Sequence, residues 1–315
     1  MNTFSNLDAR LCVGISGWRY AAWRGMFYPK DLPQRAELEY AAQRLPSLEI
    51  NGSFYSLQRP SSYARWYAQT PPGFVFAVKG PRFITHMLRL RGVTAALGNF
   101  YASGVLALRE KLGPLLWQFP ARQAYDAALF EAFFANLPRD TEAAAALAHG
   151  HDHRIARLGE PPLLVADRKR PLHHAIEVRH PSFACEDFIA LARRHRVALV
   201  VADSAGHYPC VEDVTADFVY LRLHGDKELY ASGYDNATLA RWAERIRAWA
   251  AGGQPADARC ASSRPPPRRA ARDVYCYFDN DAKVHAPADA QALLGILGLR
   301  WGAVEGNRAK AAGRP

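Results

Sequence analysis

Eight short apolar runs, each carrying a polar or charged residue at or beside its C-terminal end, constrain this chain more than any other feature. They read LCVGIS (11–16), SLEIN (47–51), FVFAVK (74–79), PLLWQF (114–119), HAIEVR (174–179), VALVVAD (197–203), FVYLRLH (218–224) and VYCYFDND (274–281). Stretches of helical character lie between them, such as YDAALFEAFFANL (125–137) and LARWAERIRAWAA (239–251). Short apolar runs bounded by turn signals are the mark of strands buried on both faces. Eight alternations of such strands with helices predict a closed TIM (β/α)8 barrel of the α/β class. In that architecture function sits at the C-terminal strand ends, where these polar residues fall.

The 315 residues suit one such barrel with extensions. The barrel is expected over 11–299, with 1–10 as an N-terminal extension and 300–315 as a basic C-terminal tail. No run of about 18 apolar residues is present, which predicts no membrane span. The opening MNTFSNLDARLCVG does not read as a secretory signal. The five cysteines, Cys12, Cys185, Cys210, Cys260 and Cys276, are odd in number and lack C-x-x-C spacing. They fit a reducing cytoplasm better than a disulfide framework or a thiolate zinc site. Of the formal net charge of +10, residues 254–272 carry +4 and residues 300–315 carry +3. The first of these segments, QPADARCASSRPPPRRAAR, reads as a disordered basic insertion. LLVADRK (163–169) reads as an additional short strand.

Alternation assigns the inward-facing residues. Leu48 and Ile50 face the helices, so Glu49 and Asn51 face the interior. The same reasoning turns Lys79, Gln118, Glu177, Arg179, Arg222 and His224 inward, and Asp203 inward in phase with Val201. On the last strand Asp279 and Asp281 share a parity, and Asn280 opens the following loop toward the mouth. Five acids (Glu49, Glu177, Asp203, Asp279, Asp281) thus interleave with Lys79, Arg179 and Arg222, and His86 and His224 lie close by. A structural ion network is the plain account of such a ring. The expense of burying so many charges favours a functional one.

Glu49, Glu177, Asp203 and His224 are donors that Mg²⁺, Mn²⁺ or Zn²⁺ would accept. Three neighbouring bases already neutralise most of the carboxylates, so a divalent metal is not favoured and no cofactor is assigned. HGHDH (149–153) sits in a polar connection away from any strand end and reads as solvated. Among the aromatics after the first two strands, Trp23, Phe27 and Phe54 are assigned to packing. Trp18 and Tyr55 are assigned to ligand stacking. Neither the G-x-x-x-x-G-K-[ST] nor the G-x-G-x-x-G phosphate loop is present.

In chain order, GISGWRYAAWRGMFYP, EINGSFYSLQRP, FAVKGPRFITH, LWQFP, EVRHPSF, VADS, YLRLHG and YFDND resemble the YecE-like family, also called domain of unknown function 72. The resemblance runs from Leu11 to Leu297. It implies a TIM barrel and no established activity. The family's last-strand ending is Asn-Asn-Asp, whereas this chain has Asp279-Asn280-Asp281.

These observations lead to an expected cytoplasmic enzyme performing acid–base hydrolysis or isomerisation, with or without a metal, on an anionic sugar- or nucleotide-like ligand. Glu49, Glu177, Asp203 and His224 are the catalytic candidates. Trp18, Asn51, Tyr55, Lys79, His86, Gln118, Arg179, Arg222 and Asn280 are the expected ligand contacts. The alternative is a non-catalytic nucleic-acid-binding protein, with basic segments on phosphate and mouth aromatics on bases. Oligomeric state is left open.

Overall fold

The structure, a computed structural model, describes residues 9–302. Eight parallel strands close into one barrel in sequence order. They are β1 (Leu11–Ser16), β2 (Ser47–Ile50), β3 (Val75–Lys79), β4 (Leu112–Gln118), β5 (His174–Glu177), β6 (Ala198–Asp203), β7 (Phe218–Leu223) and β8 (Asp273–Phe278). Pairing of β1 with β8, in register from Leu11↔Val274 to Ile15↔Phe278, closes the cylinder. Each predicted run holds one strand. Several polar end residues, including Asn51, Arg179, His224 and Asp279, lie just past the paired segments, so they project from the rim.

Around the strands run α1 (Glu37–Ala42), α2 (Gly52–Tyr55), α3 (Pro60–Ala68), α4 (Thr94–Ala102), α5 (Ala127–Asn136), α6 (Thr141–Ala148), α7 (Glu186–Arg194), α8 (Asn236–Ala250) and α9 (Ala286–Leu297). Local chemistry sets their starts. Pro60 occupies the first turn of α3, where a missing N–H leaves nothing unpaired. Asp126, Asp140 and Asp235 accept backbone N–H groups at the starts of α5, α6 and α8.

Two apolar layers follow from strand alternation. Leu48, Ile50, Val78, Trp117, Ile176 and Leu221 face the helices. Inside the barrel, Ala77, Ala175, Ala198 and Ala202 share a layer with Phe218, Tyr220, Tyr275 and Tyr277. The aromatics of β7 and β8 thus fill the interior across from alanines on the other strands, which is how a narrow barrel is packed without voids.

Two expectations need correction. Residues 254–272 are not a free insertion. The backbone N–H of Arg259 donates to the buried carboxylate of Glu212, those of Ala261 and Ser262 to Asp213, and that of Ser263 to Glu186. Arg272 is itself buried and donates to Gly253 O. No helix lies between β6 and β7 among the described residues. The basic segment packs there, between α7, which supplies Glu186, and α8, whose Arg245 pairs with Glu212 and Asp257. LLVADRK forms no strand. Its Leu163 N–H donates to Ala102 O, and the neighbouring chain is irregular. Of the two expected extensions, residues 1–8 and 303–315 lie outside the described residues. Arg10 is tied to Asp273, and the Trp301 indole N–H donates to Ala42 O. Among the described residues, no helix is long and apolar enough to cross a membrane.

Candidate active site at the barrel mouth

β7 presents Phe218, Tyr220 and Arg222 to the interior in turn, with His224 next in phase. Arg222 is fully buried and stands at the centre of the mouth. Its Nε and Nη2 donate to Glu49 at 3.1 and 2.8 Å, its Nη1 to Glu177 Oε2 at 2.8 Å, and its Nη2 also to Asp279 Oδ2 at 2.9 Å. Glu49 further accepts from the hydroxyls of Ser16 and Tyr220, both at 2.6 Å. Glu177 accepts from Gln118 at 2.9 Å and from Arg179 Nε and Nη2 at 3.2 and 3.1 Å. Buried carboxylates so surrounded are anchors of a polar network. Burial alone would lift the Glu177 carboxyl out of its usual range, but the Arg222 and Arg179 charges override it and hold it well below.

His224, fully buried, lies between two carboxylates. Its Nε2 is 3.5 Å from Glu177 Oε1 and its Nδ1 is 3.1 Å from Asp279 Oδ2. Desolvation opposes the imidazolium, yet the partners Asp279 and Glu177 raise its pKa above the ordinary value. Gly225 follows with φ near +123°, and a Cβ there would lie 2.4 Å from Glu228 O. Only glycine allows the chain to turn so tightly off the strand carrying Arg222 and His224.

Lys79 behaves differently. It ends β3 with only 7% of its surface exposed. Its Nζ lies 4.5 Å over the Phe54 ring. Among the described residues Nζ forms no hydrogen bond or ion pair. Burial and then the Arg222 charge push its pKa down from 10.5 to about 8, against the pull of Glu49, Asp279 and Glu177. Asp281 is a second unusual group. Its Oδ1 is buried without a partner, and burial together with Asp279 raises its pKa far above the carboxylate range. Asn51 donates to Ser16 Oγ at 2.7 Å and keeps a buried, unpartnered Oδ1.

The lip is aromatic. Trp18 packs edge-on against Trp66, and Tyr55 is exposed beside them. With Tyr20 and Asn51 these residues line one cavity. A π-helical turn at Phe83–Met87 follows β3 and carries His86, whose ring stands edge-on to Phe54. Burial and Arg82 lower the His86 pKa to about 4. Arg179 lies over Tyr208 and donates to the Tyr230 hydroxyl at 3.0 Å.

The structure therefore brings together Glu49, Glu177, Arg222, Arg179, His224, Gln118 and Lys79, with Asn51 joined through Ser16 and with Trp18, Tyr55 and His86 at the lip. Two expected site residues fall elsewhere. On β6 the interior set is Ala198, Val200 and Ala202, so Asp203 has the opposite parity and accepts from the Tyr234 hydroxyl at 3.1 Å. Asn280 is fully buried and donates to Ser232 O and Asp289 Oδ2, away from the mouth. Ser16, Tyr220, Tyr208 and Tyr230 complete the site without having been singled out. Ser16 was recoverable, because it is the last inward position of the first run. Among the described residues no group of three or more His, Cys, Asp or Glu side chains could hold a metal ion. The space between the carboxylates belongs to Arg222. In HGHDH, Asp152 bonds Asn99 and caps the following turn.

A family model described as Protein of unknown function DUF72 matches residues 12–313. UPF0759 protein YunF of Bacillus subtilis is 25% identical over 113 residues, which are 34% of this chain and 39% of that protein. The chain thus spans about two fifths of that curated relative. A crystal structure of a DUF72 family protein from Thermotoga maritima has a TM-score of 0.69 at 22% identity, covering 91% of this chain and 99% of that one. One from Enterococcus faecalis has a TM-score of 0.65 at 16% identity, covering 92% and 96%. At these identities the likeness concerns the fold.

Proposed function

This chain belongs to the family described as Protein of unknown function DUF72, and for its barrel mouth we propose a site that binds a small anionic ligand and performs acid–base chemistry on it. The observation that carries this reading is Lys79, a largely buried side chain whose Nζ has no hydrogen-bond or ion-pair partner among the described residues. Burying a charged group without a partner is costly, and such costs are retained where a ligand supplies the partner. The exposed ring of Tyr55 beside Trp18 suits stacking on a sugar or nucleobase.

Roles follow from proton affinity. Lys79, near pH 8, exchanges its proton under neutral conditions. Burial and Asp279 favour the protonated form of Asp281, which suits it to the role of acid, and Asp279 and Glu177 favour that of His224. Glu177 is held too firmly as an anion to transfer protons, and Glu49 has each oxygen occupied. Both position Arg222. The reaction class is a proton-transfer isomerisation or hydrolysis, in a cytoplasm that keeps the five free cysteines reduced.

The test is calorimetry with oxalate and ribose 5-phosphate, on the parent protein and on Lys79→Met. Binding in the parent that weakens about tenfold or more in the variant, about 1.4 kcal/mol, is expected. Equal binding in both, or none in either, removes the proposal. A second reading, single-stranded nucleic acid, draws on a groove of Phe54, Tyr55, Phe83 and Met87 flanked by exposed Arg82, Arg154 and Arg157. Oligonucleotide binding with a steep salt dependence would favour it.

A further inference from the structure

We propose that Lys79 condenses with a carbonyl carbon of its ligand to form an imine, so that the substrate class is a small anionic aldehyde or ketone. This rests on the anion-binding reading of the same mouth and deepens it.

An amine becomes a nucleophile when it is neutral, enclosed and free of competing partners. Lys79 meets these conditions more fully than the other lysines among the described residues, of which Lys30 and Lys227 are exposed. The Lys111 Nζ donates to Tyr67 O, Thr70 O and Thr70 Oγ1. Lys169 pairs with Asp140 and Glu142, and Lys283 with Glu228. The carboxylates nearest Lys79 in charge terms, Glu49, Asp279 and Glu177, are all engaged by Arg222. The Phe54 ring covers Nζ on one side. A pKa near 8 leaves about a tenth of the amine neutral at pH 7, against far less than a hundredth for an ordinary lysine.

The step balances with groups at the mouth. The Nζ lone pair adds to the carbonyl carbon as the C–O π bond breaks. The oxygen takes a proton from an acid at the mouth, for which Asp281, with its buried and unpartnered Oδ1 next to the Asp279 and Glu49 charges, is the candidate. The nitrogen returns a proton to that carboxylate, leaving a carbinolamine. A second protonation of the hydroxyl releases water as the nitrogen lone pair forms the C=N bond. One amine, one carbonyl and one proton give one iminium and one water, with no change in oxidation state.

The experiment incubates the full-length protein with glyoxylate, a small anionic aldehyde, and sodium cyanoborohydride near neutral pH. Peptide mass mapping then follows carboxymethylation of each lysine. Lys79 is expected to react about tenfold or more faster than Lys169 and Lys283, on the neutral fractions above, and excess oxalate is expected to slow it. Oxalate binding by calorimetry with Lys79 no faster than those lysines overturns the imine and leaves the anion reading standing. Fast labelling that oxalate does not slow also overturns it, because the reaction then lies outside the anion site. No oxalate binding at all removes both readings. Lys79→Arg, checked for fold by circular dichroism, should retain the other labelled lysines and lose the fast site.

Discussion

Replacing Lys79 with methionine should make the protein more stable, the opposite of what most interior substitutions do. The magnitude comes from the proton affinity of the buried amine. Burial and the Arg222 charge bring its pKa from 10.5 to about 8. At roughly 1.4 kcal/mol per pH unit, the folded barrel disfavours the ammonium by about 3 kcal/mol. Methionine keeps the unbranched reach and sets a polarisable thioether against Phe54, a favourable contact. The expected gain is about 2–3 kcal/mol, or roughly 3–5 °C in Tm for a chain of this size. The folded pKa lies below the unfolded one, so the penalty is complete below about pH 8. Between pH 8 and 10.5 the unfolded chain binds the extra proton, and the parent gains stability as pH rises through that window. The advantage of methionine should therefore be full near pH 7 and mostly gone by about pH 10. Thermal and denaturant midpoints of both proteins at the two pH values measure this. A variant less stable than the parent near pH 7, or an advantage that does not shrink with pH, would refute the reasoning, because Lys79 would then have a stabilising partner.

Glu177→Gln should act in the opposite direction. Either orientation of the amide turns an NH₂ toward Arg179 or toward Arg222 and Gln118, so denaturant unfolding should show a loss of about 3–5 kcal/mol; an unchanged midpoint would mean that Glu177 is not an anchor. Removing residues 254–272 should lower the unfolding free energy by about 2 kcal/mol or more, read from the denaturant midpoint, since Glu212 and Asp213 lose backbone donors while staying buried. A midpoint within error of the parent would show that the segment contributes nothing. Asp279→Asn, which puts an amide at this position, should lower the pKa of His224 by removing one of its two carboxylates, as read by NMR titration of the imidazole; an unmoved titration would assign the shift to Glu177 alone.

Strand parity was legible where the outward positions are large. Leu48 and Ile50 on β2, or Leu221 and Leu223 on β7, leave no doubt which face meets the helices, so Glu49 and Arg222 could be placed. On β6 the run VALVVAD is apolar on both faces, and alternation carries no information. There the choice is made by partners distant in sequence. Phe218 and Tyr220 on β7 occupy the interior, so the small side chains Ala198 and Ala202 share that space and Asp203 turns out toward Tyr234. Asn280 follows a strand end, where parity lapses. The docking of residues 254–272 was hidden for a related reason. Composition describes the segment, but the acids that fix it, Glu186, Glu212 and Asp213, lie on other elements. The isolation of Lys79 was equally out of reach, because a count of acids and bases does not reveal that Arg222 alone engages three carboxylates.

That arrangement links structure to chemistry. Glu49, Glu177 and Asp279 are paired by Arg222 and Arg179, and Asp279 and Glu177 favour the imidazolium form of His224. These ion pairs are made without Lys79, so its ammonium has no carboxylate of its own. A ligand with one negative charge supplies that partner and raises the amine's proton affinity in return, because binding of the anion and of the proton are linked. The Phe54 ring offers the ammonium a cation–π contact and the carboxylates held by Arg222 attract it from a distance, but among the described residues none of them pairs with it directly. Anion affinity should therefore be highest below about pH 8 and decline as pH rises through the Lys79 titration. Nucleophilic reaction runs the other way, since it needs the neutral amine. At subsaturating aldehyde the labelling rate follows the neutral fraction of the free amine, so at Lys79 it should rise up to about pH 8 and level off above it, while Lys169 and Lys283 label ever faster with rising pH. A Lys79 rate that keeps climbing in step with theirs beyond about pH 9 would show that its proton affinity is that of an ordinary lysine.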